Sequence, residues 1–488
     1  MSRICLSLES LEGVERQLES VAADLVEVRV DMLSRGAREA IRPESGSRGR
    51  RVPSILVIRC TEDGGRWGAD GETEAEREEL FQGLLASGHW DWVELEYHRQ
   101  LPQVIEAAGK AGTRIIFSIN DSSGMSLNQP VRELAVLMRN IHAGGAIPKL
   151  ALQCESSRQL LTLARLALAL EDMPEKLLTG RGEYGAASGI LAEKFGSLWV
   201  YAALNREPYP WHLNDLNDLY RFREIGESTP VYAVTGNPIG HSRSPKLHNG
   251  WLRTANIPGC YIPIRSDDVG ALLETCDILG ITGLSVTVPH KETVLRYCDV
   301  LEPLVRRIGA ANTLIRGGEG WRAHNTDAGG FMGALLEALE VSGTDALKGR
   351  KVLLIGAGGA AKAAVYSLAE AGCRLVILNR TPKKAEALAK AVGGEYGRLG
   401  PESEFLCRGV EIAVQTTSVG MAPNLSGDPL PWWNPIGCRL LFDMIYNPAE
   451  TVLMSRASAA GVKAVNGAGM LVQQAALQFE MFTGFPPG

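Results

Sequence analysis

Short apolar runs alternate with amphipathic stretches along the whole chain, and the pattern is interrupted once, near residue 226. In the first half, runs at 4–8, 25–30, 55–60, 92–95, 114–118, 149–152, 176–179 and 198–203 read as strands. Helical spacing fills most of the gaps, as in 130–141 and 157–170. Eight strands alternating with helices over about 220 residues predict a (β/α)8 barrel. Segment 34–51, rich in Arg, Gly and Ser, reads as a mobile loop. The polar stretch 222–230, FREIGESTP, ends in proline and marks a junction. An apolar run at 231–235 restarts strand–helix alternation, which continues to about residue 330. A third α/β unit spans 351–465, and an amphipathic helix at 470–482 is placed to fold back on an earlier domain. The predicted fold class is therefore α/β. It comprises a barrel over 1–226, an α/β domain over 229–335 completed by 467–488, and a nucleotide-binding domain over 345–466. No internal repeat is visible.

The most specific local pattern lies at 351–381, KVLLIGAGGAAKAAVYSLAEAGCRLVILNRT. An apolar strand runs into Gly356-Ala357-Gly358-Gly359-Ala360, then a helix, then a second strand ending at Asn379-Arg380-Thr381. This is the GxGxx(G/A) dinucleotide fingerprint in its strand–turn–helix–strand setting. The glycines let the backbone approach a pyrophosphate, and the helix N-terminus offers free N–H groups and a positive dipole end. A binder of the unphosphorylated dinucleotide usually places Asp or Glu after the second strand. This chain has Arg380, with Lys383 and Lys384 just beyond, which suits a 2′-phosphate and predicts NADP as cofactor.

Composition narrows the field. Apolar and charged fractions of 45% and 22% are ordinary for a globular protein, and a net charge of −6 argues against nucleic acid as main partner. No run of ~18 apolar residues is present, so no membrane span is expected. The N-terminus, MSRICLSLESLEG, has no apolar signal core. Nine scattered cysteines, none in a CxxC pair, predict reduced thiols in a cytoplasm and no zinc site.

Polar clusters sit where strands of the second half end: Ser242-Arg243-Ser244-Pro245, Ser285 to Glu292, Ala311-Asn312-Thr313 and Asn325-Thr326-Asp327. Ligands of open α/β sheets bind outside the carboxyl ends of strands, and hydroxyls, amides, Lys and Asp suit a small polyhydroxylated ligand. Singly, each also fits a structural role, such as Ser244-Pro245 opening a helix. Together with the fingerprint, GNPIGHSRSP, SVTVPHKE, IGAANT, HNTD, GAGGAAKA, NRT, TTSVGM, DMIYNP and GMLVQQA make residues 229–488 resemble the shikimate dehydrogenase family throughout. That family reduces 3-dehydroshikimate to shikimate with NADPH. The resemblance implies Lys291 and Asp327 as the catalytic pair. It implies Ser242, Ser244, Thr287, Asn312 and Gln474 as shikimate-binding groups, with Tyr446 and Gly467 at further ligand positions and Met444 beside the cofactor. The chemistry agrees. A ketone receiving hydride needs a proton on its oxygen, and an ammonium beside a carboxylate can supply it.

The first half resembles type I 3-dehydroquinate dehydratase, whose members use a lysine Schiff base and a histidine acid/base. The resemblance rests on ICLSL with Ser7, VEVRVD with Glu27 and Arg29, VIRCTEDGG with Arg59, and GGAIPKLAL with Lys149 in the Schiff-base position at the start of its strand run. Fused in this order, the halves have the arrangement of the bifunctional plant-type enzymes. Three departures stand out. The Ser-x-His of that family reads Ser118-Ile119-Asn120. Its Ser-Arg-Ile, whose arginine binds substrate carboxylate, reads Ser188-Gly189-Ile190, and its Pro-Gly-Gln reads Pro208-Tyr209-Pro210. No other histidine of this half, His89, His98, His142 or His212, obviously substitutes. Asn does not titrate near neutrality, and losing a general acid/base costs roughly 10²–10⁴-fold. The expected protein is thus an NADP-dependent shikimate dehydrogenase fused to a barrel with little or no dehydratase activity. Its partners would be 3-dehydroshikimate, shikimate and, at the barrel, 3-dehydroquinate. A fully bifunctional enzyme and a quinate/shikimate dehydrogenase are the alternatives.

Overall fold

The computed structural model describes residues 2–9, 23–39, 52–87, 90–99, 101–204 and 211–487, which fall into two compact units, Met1–Thr282 and Gly283–Gly488. Pro208-Tyr209-Pro210 and His89 lie outside the described residues, as does most of segment 34–51.

All eight expected barrel strands form: β1 (Arg3–Leu8), β2 (Leu25–Arg29), β3 (Ser54–Val57), β4 (Trp92–Glu96), β5 (Arg114–Asp121), β6 (Ile147–Gln153), β7 (Leu177–Arg181) and β8 (Trp199–Ala202). They pair in parallel in the order β7-β6-β5-β4-β3-β2-β1-β8. The two ends of the sheet meet where the Leu198 N–H donates to the Lys176 carbonyl at 3.0 Å and the Leu178 N–H to Ser197 Oγ at 2.9 Å. Strand side chains alternate in and out. Inward-facing Cys5, Leu25, Ile55, Trp92, Ile116, Ile147, Leu177 and Trp199 make an apolar plug. Further along the same faces come Glu27, Glu94 and Lys149, so the barrel interior turns polar toward the C-terminal ends of its strands, the usual location of chemistry in this fold.

Two expectations need adjusting. Residues Arg35–Glu39 are helical and not loop: Arg38 donates to the carbonyls of Val30 and Leu33 at 3.2 and 3.0 Å, pairs with Glu72 at 2.9 Å and lies over the Trp67 ring. And Lys149 is the third residue of its strand, because the buried pair Ile147-Pro148 extends β6 at its start.

The first unit continues with the parallel strands β9 (Val231–Gly236) and β10 (Cys260–Arg265). Here the barrel helix Ser157–Ala169 packs on the helix Val269–Leu279. Ser157 fixes the junction. Its N–H donates to Asp267 Oδ1 at 2.9 Å, and its Oγ accepts from the Asp267 N–H at 3.0 Å. Nearby, Arg265 pairs with Glu183 at 2.6 Å.

The chain enters the second unit within β11 (Ile281–Val286), and β12 (Val300–Leu301), β13 (Thr313–Gly317) and β14 (Gly320–His324) follow. β13 pairs antiparallel with both β11 and β14. The expected strand–helix alternation thus gives way to a hairpin over 313–324, turned at Gly318-Glu319. Beyond it, β15 (Lys351–Ile355), β16 (Arg374–Asn379), β17 (Glu395–Arg398), β18 (Ile412–Gln415), β19 (Leu440–Asp443) and β20 (Lys463–Asn466) form a parallel sheet in the order β17-β16-β15-β18-β19-β20. Both faces are covered, with Val352, Leu354, Ile377 and Val414 in one core and Leu353, Ile355, Val376 and Ala413 in the other. This accounts for the unbroken apolar runs. The last helix, Ala468–Thr483, folds back on the helix Asp327–Leu339, so closely that a Cβ on Gly330 would stand 2.7 Å from the Gln474 backbone nitrogen.

Candidate active sites

In the second unit, β11 ends at Val286 and the loop behind it carries Thr287 and Lys291. Asp327 opens the helix Asp327–Leu339. The two meet: Lys291 Nζ lies 2.5 Å from Asp327 Oδ2, with the lysine partly exposed and the aspartate nearly buried. The other Asp327 oxygen accepts from Asn312 Nδ2 at 2.9 Å, and the same nitrogen lies 3.3 Å from Gln474 Oε1. Asn312 is held in turn, its Oδ1 accepting from the Thr326 N–H at 2.7 Å and from Thr313 Oγ1 at 2.8 Å. Lys291, Asp327, Asn312 and Gln474, far apart in sequence, are therefore one connected set. Gln478, missed in the sequence, completes it. Its Nε2 donates to the Asn312 carbonyl at 2.9 Å, and its Oε1 accepts from Ser285 Oγ at 2.8 Å. The available signal was spacing, one helical turn beyond Gln474 and hence on the same face.

Ser242 and Ser244 belong to the first unit, at the start of the helix Ser244–Thr254, where the Ser244 N–H donates to Ser242 Oγ at 3.3 Å. Tyr446 is exposed after β19. Gly467 precedes the last helix at a point where a Cβ would stand 2.2 Å from the Met444 carbonyl oxygen, so only glycine fits there.

The fingerprint segment has its expected geometry. Gly356 has φ +116°, and a Cβ there would stand 2.4 Å from Thr416 Oγ1. Gly358 caps the helix Gly359–Glu370, and Cβ atoms added to Gly358 or Gly359 would meet nothing within 4 Å. That open space belongs to a cavity of about 530 Å³ lined by Ala357, Gly358, Lys362, Lys384, Arg307 and Glu292 among others. Free backbone N–H groups at a helix start, with cations around them, fit a phosphate-bearing nucleotide. Ala360 lies in the first helical turn, and Asn379 bonds the Thr381 carbonyl at 3.0 Å. Arg380, Lys383 and Lys384 are exposed beyond β16.

In the barrel, a cavity of about 130 Å³ is lined by Glu27, Arg29, Arg59, Lys149, Arg181, Tyr201 and Trp211, with smaller residues between them. Lys149 is 3% exposed. Its Nζ lies 2.6 Å from Glu94 Oε2, 3.8 Å from Glu27 Oε1 and 3.9 Å from the centre of the Tyr201 ring. Burial pulls its amine below the ordinary lysine value against the opposing pull of Glu94 and Glu27. Burial alone would raise Glu94, but Lys149 and Arg59, the latter at 2.6 Å, hold it below the usual carboxylate range. Ser7 Oγ donates to Glu27 at 2.5 Å, and Arg29 grips Asp31 through two bonds of 3.0 and 2.7 Å. The sequence reading of this site omitted Glu94, although an acid inside an apolar run, on the inward register of β4, was a visible signal. Arg181, Tyr201 and Trp211 also line the cavity, and no local pattern marks them in the sequence.

The departures have a structural counterpart. Asn120 Nδ2 donates to Ser118 Oγ at 3.0 Å, and its Oδ1 accepts from Arg181 Nη2 at 2.9 Å. At Gly189 a Cβ would stand 1.8 Å from Trp211 Nε1, so the indole occupies the space a side chain would need. His98, His142 and His212 are not among the cavity's lining residues.

Fold and sites together define an α/β enzyme class in which a lysine-bearing barrel precedes a two-part, nucleotide-binding dehydrogenase. The chain belongs to the bifunctional 3-dehydroquinate dehydratase/shikimate dehydrogenase family. Family models match residues 3–227 (type I 3-dehydroquinase), 234–314 (shikimate dehydrogenase substrate binding domain), 338–418 (shikimate / quinate 5-dehydrogenase) and 467–488 (shikimate 5′-dehydrogenase C-terminal domain). The chloroplastic bifunctional 3-dehydroquinate dehydratase/shikimate dehydrogenase of Arabidopsis thaliana is 32% identical over 98% of this chain and 81% of its own length. The shikimate dehydrogenase (NADP(+)) of Bacillus licheniformis is 40% identical over 53% of this chain and 93% of its own length. A solved shikimate 5-dehydrogenase from Thermus thermophilus, in complex with NADP(H) and shikimate, is 34% identical over 53% of this chain and 95% of that one, with a TM-score of 0.47. Among the described residues no helix is long and apolar enough to cross a membrane.

Proposed function

We propose that the chain is an NADP-dependent shikimate dehydrogenase, reducing 3-dehydroshikimate to shikimate, fused to a barrel that has lost ordinary dehydratase activity. The observation that carries the first part is the contact of Lys291 with Asp327, backed by Asn312. Asp327 fixes the lysine amine in place through their direct ion pair. Lys291 then gives a proton to the ketone oxygen as negative charge develops there, and stabilises that charge until the transfer is complete. Ser242, Ser244, Thr287, Asn312, Gln474, Tyr446 and Gly467 are assigned to the substrate. Gly356 to Ala360, Asn379 to Thr381, Lys383, Lys384 and Met444 are assigned to the cofactor. NADPH, when bound, supplies the hydride. Functional domains over 1–226, 229–335 with 467–488, and 345–466 go with this reading, as does a reducing, cytoplasm-like compartment, in keeping with nine unbridged cysteines.

Lys291→Ala should lower kcat for NADPH-dependent reduction of 3-dehydroshikimate by roughly 10²–10⁴-fold. A variant that keeps the parent rate would refute the assignment. For the barrel, the full chain should dehydrate 3-dehydroquinate at least ~10²-fold more slowly than a relative with the histidine. Borohydride should still trap an adduct at Lys149, because its desolvated amine retains nucleophilic character. Dehydration at a rate comparable to such a relative would overturn the loss of function, and an absent adduct would overturn the Schiff-base position.

A further inference from the structure

Gly189 stands where the relatives place a carboxylate-binding arginine, and the Trp211 indole closes that position to any side chain. Yet among the described residues the cavity wall carries four cations, Arg29, Arg59, Lys149 and Arg181, against one lining carboxylate, Glu27. Behind the wall, Asp31 takes Arg29 in two bonds, and Glu94 takes both Arg59 and Lys149. Arg181 completes the cationic side of the wall. It sits at the C-terminal end of β7, and its Nη2 donates to a neutral amide, Asn120 Oδ1. That amide is oriented by Ser118, so the chain Ser118–Asn120–Arg181 sets the direction of the guanidinium. Arg181 is the last residue of β7, whereas Gly189 lies in the second of the two short helices that follow it, Gly182–Gly185 and Ala187–Ile190. Trp211 is itself a donor. Its buried indole N–H has no hydrogen-bond partner among the described residues, and the residue lines the same cavity.

From this we infer that the barrel is a binding site for the carboxylate of a small cyclic ketone, with the carboxylate-reading guanidinium moved from position 189 to Arg181. Asn120 is a positioning residue that aims Arg181, in the place where its relatives carry an acid/base. A planar guanidinium can meet a carboxylate through paired N–H donors, which an ammonium cannot match. The ketone would lie toward Lys149 and the carboxylate toward β7. The inference rests on the family reading of the barrel as a site for a ring hydroxy-acid ketone.

The test is calorimetric titration of the full chain with 3-dehydroquinate and with its methyl ester, on the parent, Arg181→Ala and Arg181→Lys. The dehydrogenase half is the same in all three, so differences among them belong to the barrel. The expected result is a loss of tenfold or more in affinity for the acid in Arg181→Ala, a much smaller change for the ester, and an intermediate acid affinity in Arg181→Lys. Thermal unfolding midpoints report whether each variant is folded. If Arg181→Ala does not fold, the acid-to-ester ratio of Arg181→Lys decides, and a ratio equal to the parent's overturns the inference. So does an Arg181→Ala affinity for the acid equal to the parent's, or an equal loss for acid and ester. The comparison of acid with ester is the same whether or not the ketone also forms an imine with Lys149, which all three proteins share. Failure of borohydride trapping at Lys149 would therefore sink the Schiff-base reading and leave this one standing.

Discussion

At the scale of single residues, Gly189 shows how one neighbour can close a position to any side chain. A methyl group there would overlap Trp211 Nε1 and press on the indole carbons, at 2.4 and 2.8 Å. Trp211 is buried, and its ring packs edge-on against Tyr220, so it cannot yield freely. Overpacking of this kind costs about 1–3 kcal/mol. Gly189→Ala should therefore lower the denaturation midpoint of the full chain by that equivalent, measured by chemical unfolding. An unchanged midpoint would mean that the indole swings aside and that the position is open to repair. The same residues mark the limit of sequence reading. Asn120 was legible because strand spacing locates it and its chemistry is defined by what it is not. Glu94 could have been found from an acid in a buried run. Arg181 and Trp211 could not, since their meaning depends on which side chains the fold brings to the cavity wall, which is a tertiary fact.

At the scale of elements, the ends of β19 and β15 behave differently although both belong to the same sheet. β15 leads into glycines that leave room for a ligand. β19 ends in Asp443, a fully buried carboxylate that accepts from the Ile445 N–H at 3.0 Å and from Thr451 Oγ1 at 2.7 Å. Burial outweighs those bonds and raises Asp443 from 3.8 to about 6. The folded state then keeps a proton that the unfolded state has already released, so stability falls as pH rises through the interval from 3.8 to about 6 and is level above it. Asp443→Asn keeps an acceptor but does not titrate, and should flatten that fall in denaturation midpoints followed across the interval. An identical pH slope in variant and parent would refute this. Strand–turn–helix units such as 351–381 were readable from the sequence because their glycines and apolar runs are local. The 313–324 hairpin was not. Its two strands are short, and GGEG between them reads equally well as a loop between a strand and a helix.

At the scale of the molecule, domain order and the character of each half were legible, because nine dehydrogenase-like segments and a train of eight strands occur in sequence. The compact units were not. Composition places a junction at 222–230, whereas the first unit runs on to Thr282. The reason is the packing of Ser157–Ala169 on Val269–Leu279, together with the bonds of Ser157 to Asp267 and of Arg265 to Glu183. The Arg265–Glu183 and Ser157–Asp267 contacts join residues 82 and 110 positions apart, and no local pattern announces them.

That packing bears on how such a chain can be inherited. A fused chain whose halves match separate families could in principle lose either half by truncation. Here deletion at residue 226 would strip the cover from the Val269–Leu279 helix and strand Asp267 and Arg265 without their partners. The reductase would inherit an uncovered surface where it once had a neighbour. Selection for a well-folded reductase is then enough to keep the barrel, whatever it binds.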